Sequence, residues 1–438
     1  MENKVETTEV VVEKKVKKPF PKWILIAAPI AVVVIVVFVL IAAGVFKSDR
    51  TKVLEAFVKT FKDQPKIVED LKADDISKWA AEKKITTNIV MDGVGAGIDM
   101  SVGVTPSEIR FFGELEGEDM PETDFVVSYT DSQIKGMLPA VSDVLFVYNY
   151  TEMPSGDLFD DVDEEDIEMI NKALSAYWTE DNAKLEKRLN KVLMKALKEV
   201  EVNKTDSAEF RIDDKKRKCD GYAFTLTDDF FLDLLDEVET VYEEELDEDL
   251  YEEMYVEDMF DTYRQVFREF PESEIKVYIY KSKLACVEVV MDEADVEMEL
   301  LFKGGKFRWQ NMELALDDGD TEYNFELEGK TDGKEEEYAF SVEGTEIFTL
   351  EYSQKTGDFV IESDMDDFEF EGNIVSEKNS VCISFAVEGA DFAVTVSQGA
   401  NFESLTGEEF NFGTASEDDL MDVMEDNEDL MELLYELY

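Results

Sequence analysis

The chain has 438 residues, of which 44% are hydrophobic, 11% aromatic and 34% charged. That length and apolar content point to folded domains rather than a disordered acidic tail. A net charge of −62, from 105 acids against 43 bases, repels nucleic acid; the lack of any histidine excludes Ser-His-Asp and Cys-His catalysis, histidine-liganded zinc and imidazole switches.

Residues 1–22 are polar and lysine-rich, without a strong apolar period, and read as a disordered cytoplasmic tail. From Trp23 to Phe46 no charge occurs. A helix of that length reaches roughly 36 Å, enough for a hydrocarbon core of roughly 30 Å. Residues 23–46 are therefore expected to be a transmembrane helix, with the lipid bilayer as partner. The apolar run exceeds the roughly 7–15 residues of a signal-peptide core, which favours an uncleaved signal anchor. Ala42-Ala43-Gly44 leaves cleavage open as the alternative. Lys14, Lys15, Lys17, Lys18 and Lys22 precede the span, against Lys47, Arg50 and Lys52 after it, so the N-terminus is read as cytoplasmic. With eight bases and five acids in residues 1–50, the rest of the chain carries −65 and is placed outside the cell.

Residues 47–84 form a juxtamembrane helical segment, with Val53, Leu54, Phe57, Val58 and Phe61 at helical spacing. Residues 85–160 change to period two, and glycine or proline turns separate strands near 86–91, 97–104, 108–115, 124–129 and 144–150. Such short links favour antiparallel hairpins. Residues 161–270 read as a helical insertion with short strands at 208–212 and 222–226. Its longest helical stretch runs from Leu246 to Phe270, ahead of Pro271. Residues 271–400 return to period two as an antiparallel meander, with turns at Gly304-Gly305, Asp318-Gly319, Asp332-Gly333 and Thr356-Gly357. Residues 415–438 form a C-terminal helix that Ser416 and Asp419 can cap. The fold class is thus α+β: an N-terminal transmembrane helix, then a large curved antiparallel sheet with inserted and covering helices. A single core rarely grows beyond roughly 250–300 residues, so two sheets or subdomains are expected, divided within 160–270.

No catalytic or cofactor-binding residue emerges. The acidic clusters at Asp160–Asp166 and Asp364–Asp367 lack the glycine of a calcium loop and suggest only weak, non-specific calcium association, so a metal site stays open. Gly93, Gly95 and Gly97 lack the Gly-Lys-Ser/Thr of a phosphate loop and read as a tight turn or a strand with close backbone approach. Cys219, Cys286 and Cys382 fall in strand-like sequence; most or all are expected to be buried thiols, with one bridged pair left open as the alternative. Tyr242, Tyr251, Tyr255 and Tyr263 lie among acids on helical sequence, either packed down or as a recognition face for a basic peptide or sugar.

The lysine-rich tail, single span and long acidic region of helices among short strands resemble the single-span membrane-anchored ectodomains common in Gram-positive, Clostridia-like gut bacteria. The segment Lys218-Cys219-Asp220-Gly221-Tyr222-Ala223-Phe224-Thr225-Leu226, followed by a capped helix, is similar to a strand-and-helix junction in such proteins. By analogy of architecture, a curved sheet covered by helices also resembles bacterial lipoprotein carriers that hold an acyl chain. The anchor, the large outer region and the lack of catalytic apparatus point to a non-enzymatic binding or envelope-associated surface protein, its ligand a peptide, glycan or apolar molecule. An apolar-ligand carrier and a carboxylate-dependent hydrolase are the alternatives.

Overall fold

The computed structural model describes residues 49–427, apart from 94–95, 118–119, 160–161, 177, 179–180, 246–255, 364–367 and 388. The expected span at 23–46, the tail before it and the end of the C-terminal helix lie outside these residues. No described helix is long and apolar enough to cross a membrane.

Twenty described strands form one sheet. Strands β1 (Ile85–Gly93), β2 (Ala96–Val104), β3 (Ile109–Gly117), β4 (Met120–Tyr129), β5 (Gln133–Met137) and β6 (Val144–Asn149) run outward as successive antiparallel neighbours. After the helical insertion, β7 (Asn203–Ile212), β8 (Lys215–Leu226), β9 (Ser273–Tyr280), β10 (Lys283–Met291), β11 (Val296–Gly304), β12 (Asn311–Asp317) and β13 (Glu322–Asp332) begin a second meander. It continues through β14 (Glu335–Val342), β15 (Thr345–Ser353), β16 (Asp358–Ser363), β17 (Phe368–Glu377), β18 (Ser380–Val387) and β19 (Ala390–Gln398). The two meanders fuse where β19 pairs with β1, from Ile85↔Gln398 to Gly93↔Ala390. The expectation of two sheets is therefore corrected to one. The helical insertion interrupts the sequence but not the sheet, because residues about 300 apart complete the ladder.

Residues 399–407 then cross the sheet. Phe402 packs on Gly103, where a Cβ would stand 2.6 Å from its ring, and Arg110 lies 4.6 Å from the same ring. Arg110 also donates to the Glu403 carbonyl at 2.6 Å. This crossing delivers β20 (Glu408–Asn411) beside β6, and theirs is the sole parallel pairing among the described strands. Sequence reading missed β20 and the short β5.

Alternation gives the sheet two unlike faces. The cross-strand series Leu327↔Phe340↔Phe348 and Ile361↔Phe370, then Phe385↔Phe392↔Met91↔Ile98↔Leu115, marks the apolar face. The opposite face carries acids, with Glu362 directly across from Glu369. Glu369 is further raised above the usual carboxylate range by a hydrogen bond shared with Glu371 and by the charges around it.

Helices cover the apolar face in separate places. Helix α1 (Asp49–Phe61) inserts Val53, Ala56 and Phe57 among Val277, Leu284, Val287 and Phe302. Its Thr60 hydroxyl accepts from the Leu284 amide at 2.7 Å. Helices α2 (Lys66–Asp70) and α3 (Ala73–Ala81) bring Ile67, Leu71 and Ile76 onto Tyr352, Phe359, Ile374 and Val381. The segment expected beside the membrane is thus packed against the sheet. Helix α4 (Glu164–Ala176) lies over β4 and β6, where the Tyr148 hydroxyl meets Asn171 at 2.8 Å and the Tyr129 hydroxyl donates to the Leu174 carbonyl.

The insertion adds α5 (Asp181–Glu199), α6 (Asp228–Glu245) and α7 (Val256–Arg268). Ion pairs bind these helices to each other: Arg188 with Glu244 and Glu245, and Arg264 with Asp236 and Glu239, while Asp261 on the same helix also pairs with Arg264. Helix α6 reaches the sheet core through Phe231, which stacks on Phe267 of α7 at 5.0 Å. Helix α8 (Glu417–Asp426) carries the expected capping box, formed by Ser416 and Asp419. It seats Leu420 and Val423 over Val144 and Phe410.

At the far end the sheet rolls over its other face. The Asp213 amide, at the β7–β8 tip, donates to the Lys303 carbonyl of β11 at 2.9 Å. The roll encloses Ile212, Cys219, Tyr278, Ala285 and Cys286. Strand β10 is consequently buried on both sides, which accounts for its nearly unbroken apolar run Leu284-Ala285-Cys286-Val287. All three cysteines are free thiols; Cys219 and Cys286 are buried and Cys382 is half-buried.

Candidate functional site, an uncovered apolar sheet face

The covering helices leave part of the apolar face open. Ile89 on β1, Phe111 on β3, Val127 on β4, Tyr323 on β13, Phe348 on β15 and Phe368 on β17 are each 36–49% exposed. All six share one face: Phe348 pairs with Phe340, Phe368 with Ser363 beside Ile361, Ile89 with Met100, and Phe111 with Val127. Single exposed apolar residues are ordinary on a soluble surface, but a series on one face of a continuous sheet is not.

Phenylalanine rings cross this region from strand to strand. Phe325 and Phe340 stack at 6.4 Å, and Phe340 and Phe348 at 5.1 Å. Farther along, Phe368 and Phe370 stack at 6.2 Å, Phe370 meets Phe385 at 4.9 Å, and Phe385 stacks on Phe392 at 5.3 Å. Phe368 and Phe370 lie two residues apart on β17, and the other pairs join neighbouring strands about 4.8 Å apart, so those rings follow the ladder spacing and make a track perpendicular to the strands.

A second apolar recess lies under α4. It has a volume of about 340 Å³ and is lined by Tyr148, Phe159, Val162, Ile167, Ile170 and Phe412. The one lining hydroxyl, on Tyr148, already donates to Asn171. The recess therefore offers carbon to an occupant, in the lower part of the roughly 300–1,000 Å³ range of small-molecule sites.

The expected acidic clusters do not assemble a metal centre from described residues. Asp163, Glu164, Glu165 and Asp166 stand at the start of α4, where carboxylates favour a helix N-terminus. Asp160, Asp161, Asp364, Asp366 and Asp367 lie outside the described residues. Gly93 ends β1 and Gly97 lies within β2, while Gly95 lies outside the described residues. Of the four tyrosines, Tyr242 packs on Phe260 at 5.8 Å and Tyr263 is 48% exposed; Tyr251 and Tyr255 lie outside the described residues.

One grouping carries no signal in the sequence: donor atoms of Cys286, Glu288 and Glu299 lie within 4.8 Å of one another. Glu288 and Glu299 are direct cross-strand partners. Burial, and then the charges of Glu288 and Glu313, raise Glu299 above the usual carboxylate range. Burial also pushes the Cys286 thiol far up, which opposes the thiolate a metal requires and suits an inert core thiol. The raised carboxylate has a consequence for stability. An acid whose pKa is higher folded than unfolded favours folding at low pH and loses that advantage as pH rises from the unfolded to the folded value. Glu299→Gln is therefore expected to raise the melting temperature at pH 7, with the gain disappearing near pH 4. Calorimetry at both pH values checks this, and an equal or opposite shift at pH 7 contradicts it.

No protein-family model and no curated protein matches this chain.

Proposed function

We propose that this protein is a membrane-anchored binding protein, displayed outside the cell, that holds an acyl chain or similar apolar ligand on the uncovered face of its sheet. The observation that carries this reading is the set of six half-exposed apolar side chains on one face of six strands. Anchoring rests on the uncharged run at 23–46, and the extracellular placement on the lysines before it. The acidic opposite face keeps the protein soluble and repels anionic headgroups and polynucleotides, so the apolar face is the surface left for a ligand to engage.

The test is binding of a fluorescent fatty acid to the full chain in lipid nanodiscs, measured against empty nanodiscs of equal composition. Saturable binding at one or two sites per chain supports the reading. Fluorescence that scales with lipid alone refutes it.

A further inference from the structure

The roll at the β7 end gathers cationic groups that apolar binding does not use. Arg308, in the β11–β12 loop, is only 9% exposed. Its Nε and Nη1 are sealed from solvent and have no hydrogen-bond partner among the described residues; the same is true of Nε of Arg217 on β8. The two guanidinium carbons lie 5.7 and 5.5 Å from the ring centre of Tyr280, and the Lys281 ammonium lies 5.4 Å from it.

A guanidinium keeps its proton in proteins, so burial at this place leaves a charge to be balanced. Burial is the largest influence on Arg308 and acts against its charged form, with Asp213 opposing it through space. The Asp213 carboxylate is engaged elsewhere, accepting from the Gly305 amide at 3.1 Å. The Tyr280 ring stabilises the cations through its face but supplies no acceptor in line with their N–H groups. Buried donors of this kind are found satisfied, by ordered water or by a ligand. Two arginines around one ring, with three sealed and unused guanidinium nitrogens, match the donor set that recognises oxyanions.

We propose that the roll binds a small oxyanion, of the phosphate or carboxylate class, through Arg308 and Arg217 beside Tyr280. The protein's overall negative charge disfavours any anion at long range, so selectivity comes from these contacts. This site lies on the face opposite the apolar track and stands independently of the acyl-binding reading.

The experiment uses the full chain in dodecyl maltoside, which contains no phosphate, and follows the ³¹P line width of inorganic phosphate. Saturable broadening is expected, with affinity at least tenfold weaker in Arg308→Met and reduced in Arg217→Met. Displacement by acetate assigns the wider, carboxylate-accepting form of the site, and failure of acetate assigns phosphate alone; both support it. Arg217 is only half-buried, so its variant decides the matter if Arg308→Met does not fold. A phosphate line that stays narrow with the unmodified protein overturns the proposal and leaves water as the occupant. Broadening unchanged in both variants overturns it as well.

Discussion

Replacing Phe348 and Phe368 together with glutamate is expected to weaken fatty-acid binding about 100-fold while leaving the fold nearly as stable as before. The two effects separate because both rings are already substantially exposed, at 39% and 49%. Covering one such ring with ligand contributes about 1.5–3 kcal/mol at most, so losing two removes roughly 3 kcal/mol, or about two decades of affinity. The new carboxylates would also lose hydration under an acyl chain, which adds to the loss. Substitutions at exposed positions usually change stability by only about 0.5 kcal/mol each. Titration in nanodiscs and thermal unfolding of the same samples check both halves. Unchanged affinity in the double variant would remove the track from the site.

Glu336→Ala is expected to destabilise the protein by about 3 kcal/mol and to free α2 from the sheet. Glu336 is 2% exposed on the apolar face of β14, directly across from Tyr352. Its carboxylate accepts from the Lys66 amide at 2.9 and 3.0 Å and from Gln354 Nε2 at 2.9 Å. Pro65 precedes the helix and has no side-chain acceptor to offer, so the strand supplies the cap that the helix sequence lacks. Tyr352 adds a second tie, donating to Asp70 at 2.6 Å. Burial and the Asp70 carboxylate hold the Tyr352 hydroxyl well above the usual phenol range, so this bond persists across ordinary pH. Truncating Glu336 leaves buried backbone donors unpaired, costing about 1–3 kcal/mol for each group so exposed. Hydrogen exchange should show faster opening at residues 66–71 than elsewhere. Uniform exchange with unchanged stability would mean that the carboxylate does not fasten the helix.

Glu336 also marks a limit of what alternation reveals. In Glu335-Glu336-Glu337-Tyr338-Ala339-Phe340 it shares a face with Tyr338 and Phe340, yet within an acidic run it reads as one more solvated acid. Its partner amides come from a helix about 270 residues earlier, and no local pattern announces them. Period two did locate the long meander at 271–400, because each strand there has one apolar and one polar side. It missed β5, Gln133–Met137, where Gly136 interrupts five residues, and the four-residue β20, which a crossing segment holds in place. Fusion of both meanders through β1 and β19 was equally hidden, since pairing between distant strands leaves no trace in either one.

The candidate site was half legible. Phe348 and Phe368 stand at inward positions of their strands, as the sequence indicates, and a fully covered sheet would have made them ordinary core. Their exposure depends on where α1 to α4 settle, and tertiary packing decides that. Arg217 and Arg308 are farther still from sequence reading. They come from β8 and from the β11–β12 loop, and the roll alone brings them to one ring.

Photo-crosslinking of the full chain in nanodiscs with a diazirine-bearing fatty acid tests the central claim most directly. Adducts should map to peptides carrying Phe348, Phe368, Ile89 and Phe111, and an excess of unlabelled fatty acid should suppress them. Adducts confined to residues 23–46, or spread evenly over the acidic face, would contradict acyl-chain binding on the sheet.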